Sequence, residues 1–211
     1  MKSRELPIPG LAGIVLCGGA SRRMGKPKEL LVVDGESLLA RTTRVVSEVA
    51  CPVLVVAARE SAIPPDVNST VQIVRDSIPF AGPLAGMIRG FEALPSDIGM
   101  VFVTACDHPF LSSSFVACLA DLLGSAEIVL PVLDGMRMPL TAIYRVELLE
   151  RAKDLLNVSG RGPRDLEKRG VTRVVLPEEL DGRQPGLSRS LLSFNTPEEW
   201  ASLIKKNGSS L

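Results

Sequence analysis

Short apolar, β-branched runs recur along this chain at helix-sized intervals, and that alternation restricts its fold more than any other feature. The runs are Ile14 to Leu16, Val53 to Ala57, Val71 to Val74, Met100 to Thr104, Glu127 to Val132, Leu140 to Tyr144 and Val171 to Leu176. Their length and their Val and Ile content suit strands buried on both faces. Helical stretches separate them. One is capped by Ser37 and runs to about Ala50. Others are Pro83 to Leu94, with Gly86 and Gly90 on one face for close packing, Ser112 to Leu123, the stretch from Tyr144 through Leu156, and Pro197 to Lys206. Glu29 to Val33 reads as a short strand or extended run, and Asp34-Gly35 as a turn. Ile63 to Asp66 reads as a loop, and Leu180 to Ser190 and Asn207 to Leu211 as mobile loops. The pattern predicts an α/β fold: one Rossmann-like, doubly wound, mostly parallel sheet with helices on both faces. At 211 residues without an internal repeat, the chain reads as one domain, 1–211, with its core from about 12 to 204.

The first run empties into Gly18-Gly19, then Ser21, then Arg22, Arg23, Lys26 and Lys28. A glycine pair lets backbone approach a ligand that a Cβ would block. Successive N–H groups in such a turn form an anion-binding concavity. Four cations within seven residues, in a chain of formal net charge +0, suit a polyphosphate. The competing reading is a glycine turn followed by a solvated basic segment. No G-x-G-x-x-G is present, and Pro27 after Lys26 breaks a Walker A loop.

Composition removes several function classes. Aromatic residues are 4% of the chain and there is no basic tail, so nucleic acid is not an expected partner. No apolar run approaches the roughly 20 residues of a membrane span, and Met1 to Gly10 carries no apolar core of a signal peptide. Cys17, Cys51, Cys106 and Cys118 form no C-x-x-C pair and read as reduced core residues of a cytoplasmic protein.

In a doubly wound sheet, ligands bind beyond the carboxyl ends of the strands. Asp76 and Asp107 close two of the runs. Asp107, followed by His108-Pro109, is placed to hold Mg²⁺, a hard ion that prefers oxygen ligands and substrate phosphates. Its competing reading is a cap for the helix from Ser112. Asp76 reads equally as a loop Asp bonded to its own backbone. His108, the only histidine, reads as structural rather than as a general base.

Leu16-Cys17-Gly18-Gly19-Ala20-Ser21-Arg22-Arg23-Met24-Gly25-Lys26-Pro27-Lys28 resembles the L-x-G-G-x-S-x-R-M-G-x-x-K signature of nucleotidyltransferases, with the MobA-like molybdenum-cofactor guanylyltransferases as the nearest branch. Gly82-Pro83-Leu84-Ala85-Gly86 after Asp76, Cys106 to Leu111, and Phe194-Asn195-Thr196-Pro197-Glu198-Glu199 resemble further motifs of that family. The resemblance implies that Leu16, Cys17, Gly18, Gly19, Lys28, Asp76 and Asp107 bind the nucleotide, and that Asp107 holds Mg²⁺. It implies that Arg23, Lys28 and Asp107 carry the catalysis, with Lys28 on the phosphates, and that Gly18 leaves room for a purine. Arg161, Arg164 and Asn195 are the candidates on the acceptor side. Two positions depart from the pattern: Ala57 stands near an Asn that helps hold guanine, and Ser193 replaces an Asn.

The implied reaction is Mg²⁺-dependent transfer of GMP from GTP to the phosphate of molybdopterin or molybdenum cofactor, with transient contacts to cofactor-delivery or acceptor proteins. Its rivals are the same chemistry with CTP or a sugar phosphate, and a nucleotide-binding module without turnover.

Overall fold

A strand without a polar residue, β1 (Leu11–Cys17), has no edge to give to water and is paired on both sides. The computed structural model describes residues 5–18, 24–76, 82–158 and 162–207. In chain order the remaining strands are β2 (Val32–Val33), β3 (Glu36–Ser37), β4 (Val53–Ala58), β5 (Gln72–Asp76), β6 (Met100–Ala105), β7 (Ile128–Leu133), β8 (Met136–Arg137), β9 (Thr141–Arg145) and β10 (Thr172–Val175). The helices are α1 (Leu38–Ser47), α2 (Gly82–Glu92), α3 (Ser113–Leu122), α4 (Leu149–Leu156), α5 (Pro177–Arg183) and α6 (Pro197–Asn207).

The main sheet runs β10-β7-β9-β6-β1-β4-β5, with β8 hairpinned onto β7. Pairing is parallel from β6 to β5 and between β10 and β7. Only β9 runs against its neighbours on that path, so the sheet is mostly parallel, as the alternation predicts. Its two faces bury separate clusters. Leu39, Val46, Phe102, Phe115 and Leu119 lie on the side of α1 and α3. Ile14, Leu54, Met87, Phe91 and Tyr144 lie on the side of α2 and α4. Gly90 lets α2 approach closely: a Cβ there would stand 2.7 Å from Ile14 Cδ1. Ser37 caps α1 by accepting from Ala40 N, as predicted. No helix among the described residues is long and apolar enough to cross a membrane.

Three expectations are corrected. Glu29 to Val33 is not one extended run. Lys28–Leu30 is a 3-10 turn, and β2 then pairs with β3 across Asp34-Gly35, both at positive φ, as a tight Asp-Gly hairpin requires. Leu180 to Ser190 is not a loose loop: α5 runs into a 3-10 helix (Leu187–Leu191), and Leu180, Leu187 and Leu191 are buried on the α3 face. Asp181 holds that connection by accepting from the Ser188 amide and hydroxyl. Cys51 is exposed and Cys118 half-buried, so only Cys17 and Cys106 are core residues; all four are free thiols. Asn207 ends α6, and the rest of the expected closing loop lies outside the described residues.

Candidate active site

From β1 the sheet builds outward through β4 and β5, then returns to the other edge of β1 with β6. Such a reversal opens a crevice at the carboxyl ends of the strands. Leu16 pairs with Ala105, so Cys17 and Gly18 on one side stand level with Cys106 and Asp107 on the other. Gly19, Arg23 and Arg161 lie outside the described residues.

Gly18 takes φ +101°, a conformation that side chains rarely adopt. A Cβ there would meet Ser61 Oγ at 2.6 Å and Ala58 Cβ at 3.1 Å. The glycine therefore admits the turn after β4, and the room expected for a purine at its Cβ position is filled by protein.

Lys28 reaches the crevice from its 3-10 turn. Its Nζ donates to Asp107 Oδ2 at 2.9 Å, to the Phe194 carbonyl at 2.6 Å and to Asn195 Oδ1 at 3.1 Å. These three acceptors match the three hydrogens of an ammonium group. The Phe194 ring, 5.1 Å from Nζ, lies beneath it and packs at a tilt of 49° against Trp200. Asn195, expected on the acceptor side, thus meets the same lysine as Asp107. Thr196 and Glu199 close the start of α6 as a capping box: Thr196 Oγ1 accepts from the Glu199 amide, and Glu199 accepts from the Thr196 amide and also from the Asn195 amide.

Asp107 is no helix cap. Ser112 fills that role for α3 by accepting from the Phe115 amide at 3.2 Å. Asp107 Oδ2 is on Lys28, and Oδ1 stands 3.7 Å from His108 Nε2. His108 is buried, with Nε2 2.8 Å from Thr141 Oγ1 and Nδ1 facing backbone near Ser190 and Leu192 without a well-formed hydrogen bond. Burial lowers its pKa, against an opposing pull from Asp107. Burial also pushes the thiols up, Cys17 to about 12, so both core cysteines stay neutral beside the site.

Among the described residues no group of three or more His, Cys, Asp or Glu gathers as a metal cage. Mg²⁺ needs none, since it commonly takes one or two carboxylates and completes its shell with substrate phosphate and water. Asp107, partly exposed at the switch point and flanked by protonated thiols, fits that mode. Asp76 ends β5 opposite Ala58, on the far side of β4 from β1. Arg164 is exposed on the 3-10 helix Pro163–Lys168 and is not drawn into the Lys28 cluster.

The MobA-like NTP transferase domain matches residues 13–174, which span β1 through β10 and include the switch point. The chain belongs to this family. It is therefore a nucleotidyltransferase-family enzyme, and the MobA-like relatives extend beyond the matched domain. A probable molybdenum cofactor guanylyltransferase of Bacillus cytotoxicus is 29% identical over 202 residues, covering 93% of this chain and 98% of the relative. One from Mycobacterium ulcerans is 38% identical over 169 residues, 76% of this chain and 81% of the relative. The crystal structure of molybdopterin-guanine dinucleotide biosynthesis protein A from Archaeoglobus fulgidus superposes with a TM-score of 0.75 at 19% identity, covering 94% and 99% of the two chains, and so shares the MobA-like fold.

Sequence reasoning missed the Phe194 carbonyl, because backbone acceptors leave no residue signature. It also missed Ser61 and Arg75. Arg75 donates to the carbonyls of Ala58 and Ser61, and neither its position nor its neighbours in sequence announce that contact.

Proposed function

We propose that the chain transfers the guanylyl group of GTP to the phosphate of molybdopterin or molybdenum cofactor, forming the guanine dinucleotide cofactor and pyrophosphate. The observation that carries this reading is the Lys28–Asp107 pair at the switch point of a MobA-like chain. A phosphate oxygen of the acceptor attacks the α-phosphorus in line. The bond from that phosphorus to the bridging oxygen breaks, and pyrophosphate leaves with the electron pair. The attacking phosphate is already ionised, so positioning and charge neutralisation suffice. His108, buried and held by Thr141, has no proton to take.

Leu16 to Gly19 and Asp76 line the nucleotide. Lys28 exchanges an acceptor for a phosphate oxygen, and Arg23 adds a second cation. Asp107 holds Mg²⁺, which supplies charge neutralisation on the phosphoryl oxygens. Arg161, Arg164 and Asn195 remain the candidates for the acceptor. Four free cysteines agree with a cytoplasmic setting.

Pyrophosphate release, followed with GTP, CTP or ATP and with molybdopterin as acceptor, tests the reading. Release with GTP is expected. Asp107→Asn keeps an oxygen acceptor for Lys28 and should keep the fold while losing nearly all turnover; an unchanged rate sinks the assignment. Release with CTP but not GTP moves the chain to cytidylyl transfer.

A further inference from the structure

We infer that Ser61 is the side chain that meets the edge of the nucleotide's base, and that Arg75 is the positioning residue that holds it there; this rests on the nucleotide-transfer reading above. After β4 the chain turns sharply, with the Ser61 amide donating to the Ala58 carbonyl at 3.0 Å. One guanidinium ties both ends of that turn. Arg75 Nη1 donates to the Ser61 carbonyl at 2.6 Å and to the Ala58 carbonyl at 3.1 Å. Arg75 can do so because β5 pairs it beside Ala57.

The clamped turn leans over Gly18 so closely that a Cβ there would lie 2.6 Å from Ser61 Oγ. Ser61 is half-buried, and its hydroxyl makes no hydrogen bond among the described residues. A hydroxyl held at the crevice, with its donor and both acceptor lone pairs unused by the described residues, is matched to an uncharged polar ligand edge.

Charge sets the direction in which a nucleotide lies. Lys28 and Asp107 stand at the β6 side of Gly18, where phosphates and a divalent cation belong. The side chains nearest Gly18 from the β4 side are the uncharged Ser61 and Ala58, and the Arg75 cation behind them is engaged with the carbonyls of the turn. The ends of β6, β1 and β4 are neighbours, so these two regions are about 10 Å apart at the usual spacing of about 4.8 Å per strand. A nucleoside triphosphate laid across β1 puts its phosphates on Lys28 and its base on Ser61. The hydroxyl can accept from a base N–H or donate to a base carbonyl oxygen. Because it rotates, it adds affinity for guanine with only modest discrimination, in a chain whose β4 ends in Ala57 and Ala58.

Calorimetric titration with Mg²⁺ and either GTP, CTP or inorganic tripolyphosphate tests this on the wild type, Ser61→Ala and Arg75→Gln. Ser61→Ala should weaken GTP by about three- to tenfold, the weight of one neutral hydrogen bond, and leave tripolyphosphate unchanged. Arg75→Gln, which frees the turn, should shift GTP in the same direction and again spare tripolyphosphate. Unchanged GTP affinity in Ser61→Ala, or an equal loss for GTP and tripolyphosphate, overturns the inference. If the wild type prefers CTP and Ser61→Ala weakens CTP alone, the guanylyl reading fails while the base contact stands.

Discussion

Lys28 Nζ and Asp107 Oδ2 meet at 2.9 Å across 79 positions of the chain, on side chains only 14% and 22% exposed. Each charge neutralises the other where a triphosphate and its metal would have to enter. Lys28→Met keeps most of the stem over Phe194 and removes the charge. A charged hydrogen bond is worth roughly 1.5–3 kcal/mol, so GTP should bind about ten- to a hundredfold more weakly. Calorimetry beside Lys26→Met makes the comparison; a larger loss in the Lys26 variant shows that the wrong lysine has been assigned.

Gly18→Ala should act on the protein before it acts on any base. Its φ of +101° and the nearby Ser61 Oγ make the substitution strained by about 1–3 kcal/mol. Lower thermal stability and a similar loss of affinity for GTP and CTP are expected. A selective loss of GTP at unchanged Tm would restore the view that this methyl group touches the purine.

Glu127 gives a pH signature away from the crevice. The Arg151 guanidinium and then the Val171 amide hold its carboxyl down, from 4.5 to about 2. A depressed carboxylate stabilises the fold above its unfolded pKa, and that contribution is lost as pH falls from about 4.5 toward 2. Glu127→Gln should flatten this part of the Tm profile while leaving nucleotide binding intact, because Glu127 sits at the amino end of β7. Parallel profiles for variant and wild type would count against it.

The thiols should divide by place in the fold. Cys51 is exposed, whereas Cys17 is buried with its pKa pushed up to about 12. Alkylation of the folded protein near pH 8, read by peptide mass spectrometry, should modify Cys51 first and spare Cys17 and Cys106. Early labelling of Cys17 would mean that the crevice opens to its floor.

What was readable in the sequence follows from the range of the forces involved. Apolar periodicity is local, so β1, β4, β6 and α2 stand where Ile14, Leu54, Val103 and Met87 indicate. The Asp34-Gly35 turn is visible in the sequence, but the hairpin around it is not, because β2 and β3 are only two residues each. Leu180 to Ser190 reads as a mobile loop because Leu187 and Leu191 find a hydrophobic partner only once α3 is in place. At the site, Asp107 and Lys28 were legible from residue type and motif. Their direct pairing, and the acceptors on Phe194 and Asn195, come from contacts across the chain that no local pattern encodes.

Met24, Val33, Leu38 and Phe194 form a small core of their own, joined by Leu31, Trp200 and Leu203. Through it, the segment that delivers Lys28 is packed by residues that a ribosome makes much later. Phe194 follows Lys28 by 166 positions, about 8–33 s of synthesis at roughly 5–20 residues per second. During that interval a nascent chain can assemble most of its sheet while its lysine still lacks two of its three anchors. The Lys28 cluster is thus completed late as the chain is made, and a ribosome stalled before Phe194 would display most of the sheet with that cluster unfinished.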